Sequence, residues 1–200
     1  MADILYRYKE RVYLNITNKC CCNCTFCLRN HQEQYGEAEN LWFDKEPLME
    51  EIIESIAAYD FGDCKEVVFC GFGEPTMELE KLLVVSRYMR SRYMFRIRLN
   101  TNGLSDLIYN RSTAQEICNA VDSISISLNM PDAESYTEVV RPVYGENAFE
   151  AMLQFAKDCK KYLNGNVRFS VVDVIGKENI EKCRLLAELL EIPLHIRAYS

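Results

Sequence analysis

The chain has 200 residues, of which 48% are hydrophobic, enough for a folded core in one domain that we expect to span residues 1–200. Its formal charge of −7 argues against a general nucleic-acid binder, since such proteins usually present a basic face. The N-terminal residues contain no apolar run of signal-peptide length, and no uncharged apolar stretch is long enough to span a bilayer, so we expect a cytoplasmic protein without membrane partners.

Segments typical of strands and of helices alternate along the chain. The predicted strands are residues 11–17, 66–70, 95–100, 123–129, 167–174 and 194–199. The predicted helices are residues 47–59, 78–92, a short helix that begins at Ser112 with capping-box spacing to Gln115, 146–163 and 179–190. Such alternation predicts a parallel sheet with right-handed crossovers. The expected fold is α/β, an open six-stranded parallel (β/α)6 partial TIM barrel, and a doubly wound flat sheet is the alternative.

Four of the six predicted strands alternate between apolar and polar side chains. In residues 123–129, for example, isoleucine and leucine alternate with serine and asparagine. Parallel strands that are covered on both faces are normally apolar throughout. We therefore expect helices to cover the apolar face and the polar face to line a cavity. A half-exposed sheet with solvent on one side is the alternative.

Five of the ten cysteines lie within eight positions. In a reducing compartment, clustered cysteines indicate metal binding or catalysis rather than disulfides. Cys20, Cys24 and Cys27 form C-x3-C-x2-C, whereas Cys21 with the last two forms C-x2-C-x2-C, a spacing similar to that of bacterial ferredoxins. A zinc site made of Cys24, Cys27, His31 and one upstream cysteine is a third possibility. The cysteine spacing alone leaves these alternatives open.

Other unusual segments also follow predicted strands. GFGEP, residues 71–75, follows the second strand, NTNG closes the third, and SLN closes the fourth. Ligands of α/β folds bind where the carboxyl ends of the strands converge, so we expect these segments to meet in space. In GFGEP, two glycines allow the backbone to approach a ligand closely, and a carboxylate and a proline follow them.

A C-x3-C-x2-C segment one β–α unit before GFGEP resembles the radical S-adenosylmethionine (SAM) superfamily, over residues 11–199. The sequence is most similar to the small TatD-nuclease-linked radical SAM proteins, through the segments YLNITNKC, FCLRN, VVFCGFGEP, NTNGL, SISLN and RPVYGE. The resemblance implies a radical SAM enzyme. In such enzymes a [4Fe-4S] cluster reductively cleaves SAM to a 5′-deoxyadenosyl radical, which abstracts hydrogen from a substrate.

The resemblance also implies roles for individual residues. It assigns Cys20, Cys24 and Cys27 to the cluster and leaves Cys21 and Cys22 to pack or to tune the cluster environment. The residues implied in SAM binding are Phe26, by its backbone beside the adenine; Gly71, Phe72, Gly73 and Glu74, at the methionine ammonium; Asn100, Ser127 and Asn129, as polar groups at the ends of strands; and Val172, as an apolar wall for the adenine.

The substrate is not specified by the resemblance, but the alternating strands place Arg98 and Arg197 on the polar face. Buried guanidinium groups are costly unless they meet anions, so we expect an anionic substrate, a small molecule or a peptide. An internal salt bridge with Glu66 or Asp173 is the alternative.

The expected partners are an electron donor such as flavodoxin or ferredoxin and a TatD-like hydrolase, without direct DNA binding. The alternative function is a zinc-stabilised interaction protein that partners a TatD-like hydrolase.

Overall fold

A computed structural model describes residues 2–30, 36–163 and 166–199. At its centre lies a seven-stranded sheet, whose strands are β1 (Leu5–Tyr8), β2 (Arg11–Leu14), β3 (Glu66–Phe69), β4 (Arg96–Thr101), β5 (Ser123–Ser127), β6 (Val167–Val172) and β7 (Leu194–Arg197). The strands follow one another across the sheet in chain order. Strands β2 to β7 are parallel, and β1 is antiparallel to β2. The sheet is thus mostly parallel and consistent with a partial barrel.

The seven α-helices of the described residues are α1 (Met49–Ala58), α2 (Leu79–Arg90), α3 (Ser105–Tyr109), α4 (Ala114–Ala120), α5 (Ala133–Val140), α6 (Asn147–Tyr162) and α7 (Lys177–Leu189). They connect successive parallel strands along the chain. Helix α6 packs on β5 and β6, and α7 packs on β6 and β7.

The apolar face of the sheet packs against these helices in one hydrophobic core. Phe69 of β3, Leu99 of β4 and Phe169 of β6 are fully buried, in the same cluster as Leu82 of α2 and Phe155 of α6. Burying each such side chain stabilises the fold by about 1.5–3 kcal/mol. Helices therefore cover the apolar face of the alternating strands, as predicted.

The polar face of the sheet is also largely buried. Val68, Arg98, Ser125 and Ser170 share this face by strand register, and each is at most 6% exposed. A flat sheet with solvent on this side would leave such side chains exposed, so their burial favours a curved sheet over the half-exposed alternative. His195 of β7 is exposed, so the face opens towards solvent at that edge.

The six predicted strands are all present, but the count of six and the wholly parallel sheet are wrong because of β1. Strands β1 and β2 form a hairpin whose two-residue turn is Lys9 and Glu10, with Lys9 at a φ of 56°. Two-residue hairpin turns are usually marked by glycine, asparagine or aspartate, and this turn lacks all three. The sequence therefore carries no local signal for the hairpin.

The helix predictions miss α3 and α5, and they misplace the beginning of α4. The N-cap of α4 is Thr113 rather than Ser112, and no side chain caps the helix. Instead, both the N–H and the hydroxyl of Thr113 donate to Oδ1 of Asp106, at 2.8 and 2.7 Å. Helix α5 does carry a local signal, because Oδ1 of Asp132 accepts a hydrogen bond from the N–H of Ser135 (2.9 Å) in an N-cap.

Candidate active site

The cysteine segment follows β2 and forms a series of turns. The N–H of Cys27 donates to the carbonyl oxygen of Cys24 (3.1 Å), and the N–H of Cys22 donates to the sulfur of Cys20 (3.4 Å). Cys20, Cys24 and Cys27 are half-buried, whereas Cys21 and Cys22 are buried. The three cysteines of the C-x3-C-x2-C spacing are therefore the more accessible ones.

The end of α5 holds the cysteine segment in place. The N–H groups of Asn23 and Thr25 donate to the carbonyl oxygens of Val140 (3.2 Å) and Val139 (2.9 Å). The last carbonyl groups of a helix have no partner within the helix, so these bonds satisfy both the helix end and the segment. The N–H of Val143, in the RPVYGE segment, donates to the carbonyl oxygen of Cys21 (3.0 Å).

The two buried cysteines contact the NTNG segment. Nδ2 of Asn102 lies 3.2 Å from the sulfur of Cys21 and 3.5 Å from that of Cys22, and it can donate to both. Oδ1 of the same asparagine accepts a hydrogen bond from the N–H of Leu104 (3.0 Å), which fixes the orientation of the amide. Cys21 and Cys22 thus have packing partners of their own.

The three half-buried thiols interact electrostatically. Burial raises the pKa of Cys24 to about 12, and negative charge at Cys27 and Cys20 acts in the same direction. The pKa of Cys20 is lowered, mainly by a hydrogen bond with Cys22. The positive charge of Arg29 favours the thiolate form of all three thiols. Metal binding displaces thiol protons, so this donor set fits a thiolate-bound metal centre.

A single-ion site is not formed by the described residues. Among them, no group of three or more His, Cys, Asp or Glu side chains is arranged to hold one metal ion. A tetrahedral zinc site needs such a group, although His31, one ligand of the zinc alternative, lies outside the described residues. Each cysteine of a [4Fe-4S] cluster binds a different iron, so its thiolates lie farther apart than the ligands of one ion.

The GFGEP loop lies directly against the segment that leads to the cysteines. The N–H of Glu74 donates to the carbonyl oxygen of Lys19 (2.8 Å). A Cβ atom at Gly73 would lie 2.1 Å from the carbonyl oxygen of Thr17, and one at Gly71 would lie 2.0 Å from Oδ1 of Asn15. Only glycine permits this approach. The expectation that the two motifs meet is thus confirmed.

The carboxylate of Glu74 is buried and hydrogen-bonded. Oε1 accepts from the hydroxyls of Thr101 (2.7 Å) and Thr76 (2.8 Å) and from the N–H of Thr76 (3.1 Å), and Oε2 accepts from the N–H of Asn102 (2.7 Å). The residue also caps the 3-10 helix Pro75–Glu78. Burial raises the pKa of Glu74, although these hydrogen bonds favour the carboxylate. Oε2 retains capacity to accept a further bond from a cation.

The side chain of Phe72 belongs to a separate apolar cluster. It is buried with Tyr6, Ala38 and Leu41, and its ring centroid lies 5.4 Å from that of Trp42. The side chain therefore packs the loop after β3, and the backbone of Phe72 is the part that remains for contact with a cofactor.

Further candidate residues lie at the ends of β4, β5 and β6. The Oδ1 atoms of Asn100 and Asn129 are buried and have no hydrogen-bond partner among the described residues. Ser127 is half-buried, Val172 is buried, and Phe26 of the cysteine segment is half-buried. Unpaired buried carbonyl oxygens are costly, so the two asparagines fit positions that a ligand's donors would satisfy.

The two arginines expected to bind substrate differ in their surroundings. Arg98 is buried, and its Nη1 lies 3.4 Å from Oε2 of Glu66, which also accepts a hydrogen bond from Nε of Arg11 (2.7 Å). The salt-bridge alternative is therefore correct for Arg98. Arg197 is half-buried and forms no ion pair within the described residues; Asp173 instead accepts from a backbone N–H.

Several residues of this site were not predicted from the sequence. Thr101 and Asn102, which bind the Glu74 carboxylate, lie within the NTNG segment, so that segment was their signal. Tyr136 lies near the cysteine segment on α5, its hydroxyl is buried without a partner in the described residues, and burial raises its pKa well above the usual value. Arg168 lies on the polar face of β6, in register with Ser125; β6 is not one of the four strands whose alternation was noted, so no sequence pattern pointed to this residue.

The protein is thus of the α/β class, with a mostly parallel sheet that presents a three-cysteine segment and a glycine–glutamate loop beyond its strands. Comparison with protein-family models matches residues 14–190 to the radical SAM superfamily. The chain belongs to the radical SAM superfamily, whose members generally bind a [4Fe-4S] cluster and SAM. A search of curated proteins finds no match. No helix in the described residues is long and apolar enough to cross a membrane.

Proposed function

We propose that this protein is a radical SAM enzyme whose [4Fe-4S] cluster is held by Cys20, Cys24 and Cys27. The observation that carries the proposal is the backbone hydrogen bond from Glu74 to Lys19, which joins the GFGEP loop to the cysteine segment. Two motifs that are far apart in sequence thereby flank one site, and the three half-buried thiols are its accessible metal ligands.

Different residues around the cysteines bind different parts of SAM. The backbone of residues 71–73 and the carboxylate of Glu74 bind the methionine ammonium, because carbonyl oxygens and a carboxylate complement a cation. Asn100, Ser127 and Asn129 bind the ribose and carboxylate groups. Val172 and the backbone of Phe26 lie against the adenine.

When bound, the cluster and SAM supply one-electron reductive cleavage and a 5′-deoxyadenosyl radical that abstracts hydrogen from substrate. The protein's own residues orient these groups and exclude water, which is the usual division of work in cofactor enzymes. The curved polar face of the sheet holds the substrate, and the reaction class is that of an oxidoreductase or a lyase. A flavodoxin or ferredoxin supplies the electron.

We further propose that the protein is one of the TatD-nuclease-linked radical SAM proteins and acts in the cytoplasm. A TatD-like hydrolase is then a partner, by physical contact or by consuming the product. The segments YLNITNKC, SISLN and RPVYGE support this assignment, and RPVYGE also lies against the cysteine segment through Val143.

The test is anaerobic reconstitution with iron and sulfide, followed by incubation with SAM and dithionite. We expect a brown protein that absorbs near ~400 nm, because thiolate-bound iron–sulfur clusters show such charge-transfer bands. We also expect 5′-deoxyadenosine and methionine among the products by chromatography. A colourless protein that retains zinc and leaves SAM intact would favour the zinc-stabilised interaction protein instead.

A further inference from the structure

A group of basic side chains lies on the polar face of the last two strands. Ser125 of β5 pairs with Arg168 of β6, and Ser170 and Val172 of β6 pair with His195 and Arg197 of β7. Because residues in register point to the same side of a parallel sheet, Arg168, His195 and Arg197 share one face.

The nearby carboxylate forms its ion pairs with other arginines. Glu66 is engaged by Arg11 at 2.7 Å and by Arg98 at 3.4 Å. Within the described residues, no ion pair involves Arg168 or Arg197. The Nε atoms of both arginines are buried and have no acceptor there. Two guanidinium groups thus have unused donors on a partly desolvated face.

The electrostatics of the face are correspondingly unfavourable. Burial lowers the pKa of Arg168, and the positive charge of Arg98 acts in the same direction; the charge of Glu66 opposes them, and Arg11 and Arg197 lower the pKa further by smaller amounts. Burial also lowers the pKa of His195, followed by the charge of Arg168. In a protein with a net charge of −7, such a concentration of positive charge is a local exception. Partly buried charges of one sign are costly unless a counter-charge binds.

We propose that Arg168 and Arg197 form a binding site for an oxyanion of the substrate, a phosphate or a carboxylate. Planar guanidinium groups recognise both oxyanions in bidentate fashion. The inference rests on the proposed function, which places the substrate against this face. It assigns Arg98 to the internal ion pair with Glu66 and adds Arg168, which the sequence pattern alone did not single out.

The position of Arg197 connects this site to the SAM region. Arg197 pairs in register with Val172, at the carboxyl end of β6. Its positive charge also acts on Cys70, the residue directly before the GFGEP loop. Burial raises the pKa of Cys70, and the charge of Arg197 lowers it by favouring the thiolate form. An oxyanion held by Arg168 and Arg197 would therefore anchor a substrate on the same face as the proposed SAM site.

The experiment measures anion binding by the reconstituted protein with saturating SAM. Inorganic phosphate and malonate are titrated separately by calorimetry, and the tighter of the two identifies the phosphate or carboxylate source. Arg168→Leu and Arg197→Leu should each weaken binding about tenfold, because a charge-assisted hydrogen-bonding partner is lost. The matched control is Arg184→Leu, which removes one charge from the exposed surface of α7 and should leave binding unchanged.

Two results would overturn the inference. The first is that the Arg168→Leu and Arg197→Leu variants bind phosphate and malonate with the same affinity as the Arg184→Leu control. The absence of binding by all three variants and by the unaltered protein counts as the same result. The other is anion binding that appears only when SAM is omitted from the titration, which would identify the SAM carboxylate as the natural ligand. If a leucine variant fails to fold, a lysine variant at the same position replaces it. Lysine retains the charge but not the guanidinium group, so the variant should bind the anion with intermediate affinity. Lysine variants at both positions that bind as tightly as the unaltered protein would count against guanidinium recognition.

The same samples separate this inference from the proposed function. Cluster absorbance and 5′-deoxyadenosine formation are measured in each. Suppose that the protein forms no cluster and that the leucine variants lose anion binding. This result would support the anion site and refute the radical SAM proposal. Normal SAM cleavage with unaltered anion binding in the variants would refute the anion site alone.

Discussion

Neighbouring cysteines of one short segment have different surroundings in this protein. Cys20 is half-buried and interacts electrostatically with Cys24, whereas Cys21 is buried and lies 3.2 Å from Nδ2 of Asn102. A cysteine that binds a cluster must face a space large enough to hold the cluster. A cysteine that only packs the core needs no such space. The contrast favours the C-x3-C-x2-C ligand set over the ferredoxin-like spacing.

This contrast predicts opposite results for two alanine variants. Cys20→Ala should lose nearly all bound iron, the visible absorbance and SAM cleavage, because a thiolate ligand is removed. Cys21→Ala should retain all three and lose only about 1 kcal/mol of stability, since it removes a small buried group. Iron analysis and absorbance after anaerobic reconstitution distinguish the variants. A colourless Cys21→Ala protein beside a brown Cys20→Ala protein would show that the ligand set is wrong.

Glu74 has two roles, and the choice of substitution must separate them. Its carboxylate caps a 3-10 helix and accepts hydrogen bonds from Thr76, Thr101 and Asn102. Removing it to alanine would leave those buried donors unpaired, which is destabilising in itself. Glutamine retains the shape and one carbonyl acceptor while removing the charge.

Glu74→Gln should therefore retain the cluster but bind SAM about tenfold more weakly, because an ammonium group loses its carboxylate partner. Calorimetry with SAM on the reconstituted protein measures the change. The control Glu78→Gln makes the same substitution nearby, at a carboxylate that pairs with Lys19 and Lys81 instead. Equal SAM affinity in the two variants would remove Glu74 from the binding site.

At the scale of elements, the loop after β3 and the segment after β2 are held in backbone contact. The helix end of α5 supports the other side of the cysteine segment through Val139 and Val140. The candidate site thus depends on three elements that approach closely, and glycine is required where two backbones meet.

Gly73→Ala tests this close approach. A Cβ atom there would lie 2.1 Å from the backbone carbonyl oxygen of Thr17, which cannot rotate away. We expect a loss of about 2–3 kcal/mol, corresponding to a fall in Tm of about 5–10 °C. Gly145→Ala is the control: its φ is 59° but its surroundings are open, so it reports only the cost of left-handed backbone, about 1–2 kcal/mol. A Gly73→Ala protein as stable as the unaltered one would contradict the packing described for this loop.

At the scale of the whole molecule, the negative net charge and the basic polar face have different consequences. The charge of −7 is distributed over the chain, whereas Arg98, Arg168 and Arg197 are gathered on one face of the sheet. A small anion can enter such a face, but a duplex would also meet the surrounding negative charge.

We therefore expect no binding to duplex DNA at physiological salt in a gel-shift titration up to about 1 µM protein, near the tight limit of ordinary non-specific binding. The same titration at low salt serves as the control for residual electrostatic attraction. A salt-sensitive, submicromolar complex would show that the proposed lack of DNA binding is wrong.

Much of the architecture and the approximate site were predictable from local patterns. Short strand-like segments identified β2 to β7, and four of them, β2, β4, β5 and β7, also alternate between apolar and polar residues because their two faces have different neighbours. The cysteine spacing and GFGEP identified the site, because both are contiguous segments. The β1–β2 hairpin was not predictable, since its Lys9–Glu10 turn carries no local signal. Helix α5 carried only a capping residue, Asp132, too weak a signal for an eight-residue element.

The sequence by itself determined the superfamily, the alternation of strands with helices and the segments that carry the cysteines. Tertiary structure decided which side chains share a partner: Arg98 meets Glu66, the Glu74 carboxylate meets Thr101 and Asn102, and Arg168 shares a face with Arg197. Periodicity reports the face on which a residue lies, which is a local property of the backbone. The partners on that face come from different strands, and their charges and donors are matched only when the sheet brings those strands together.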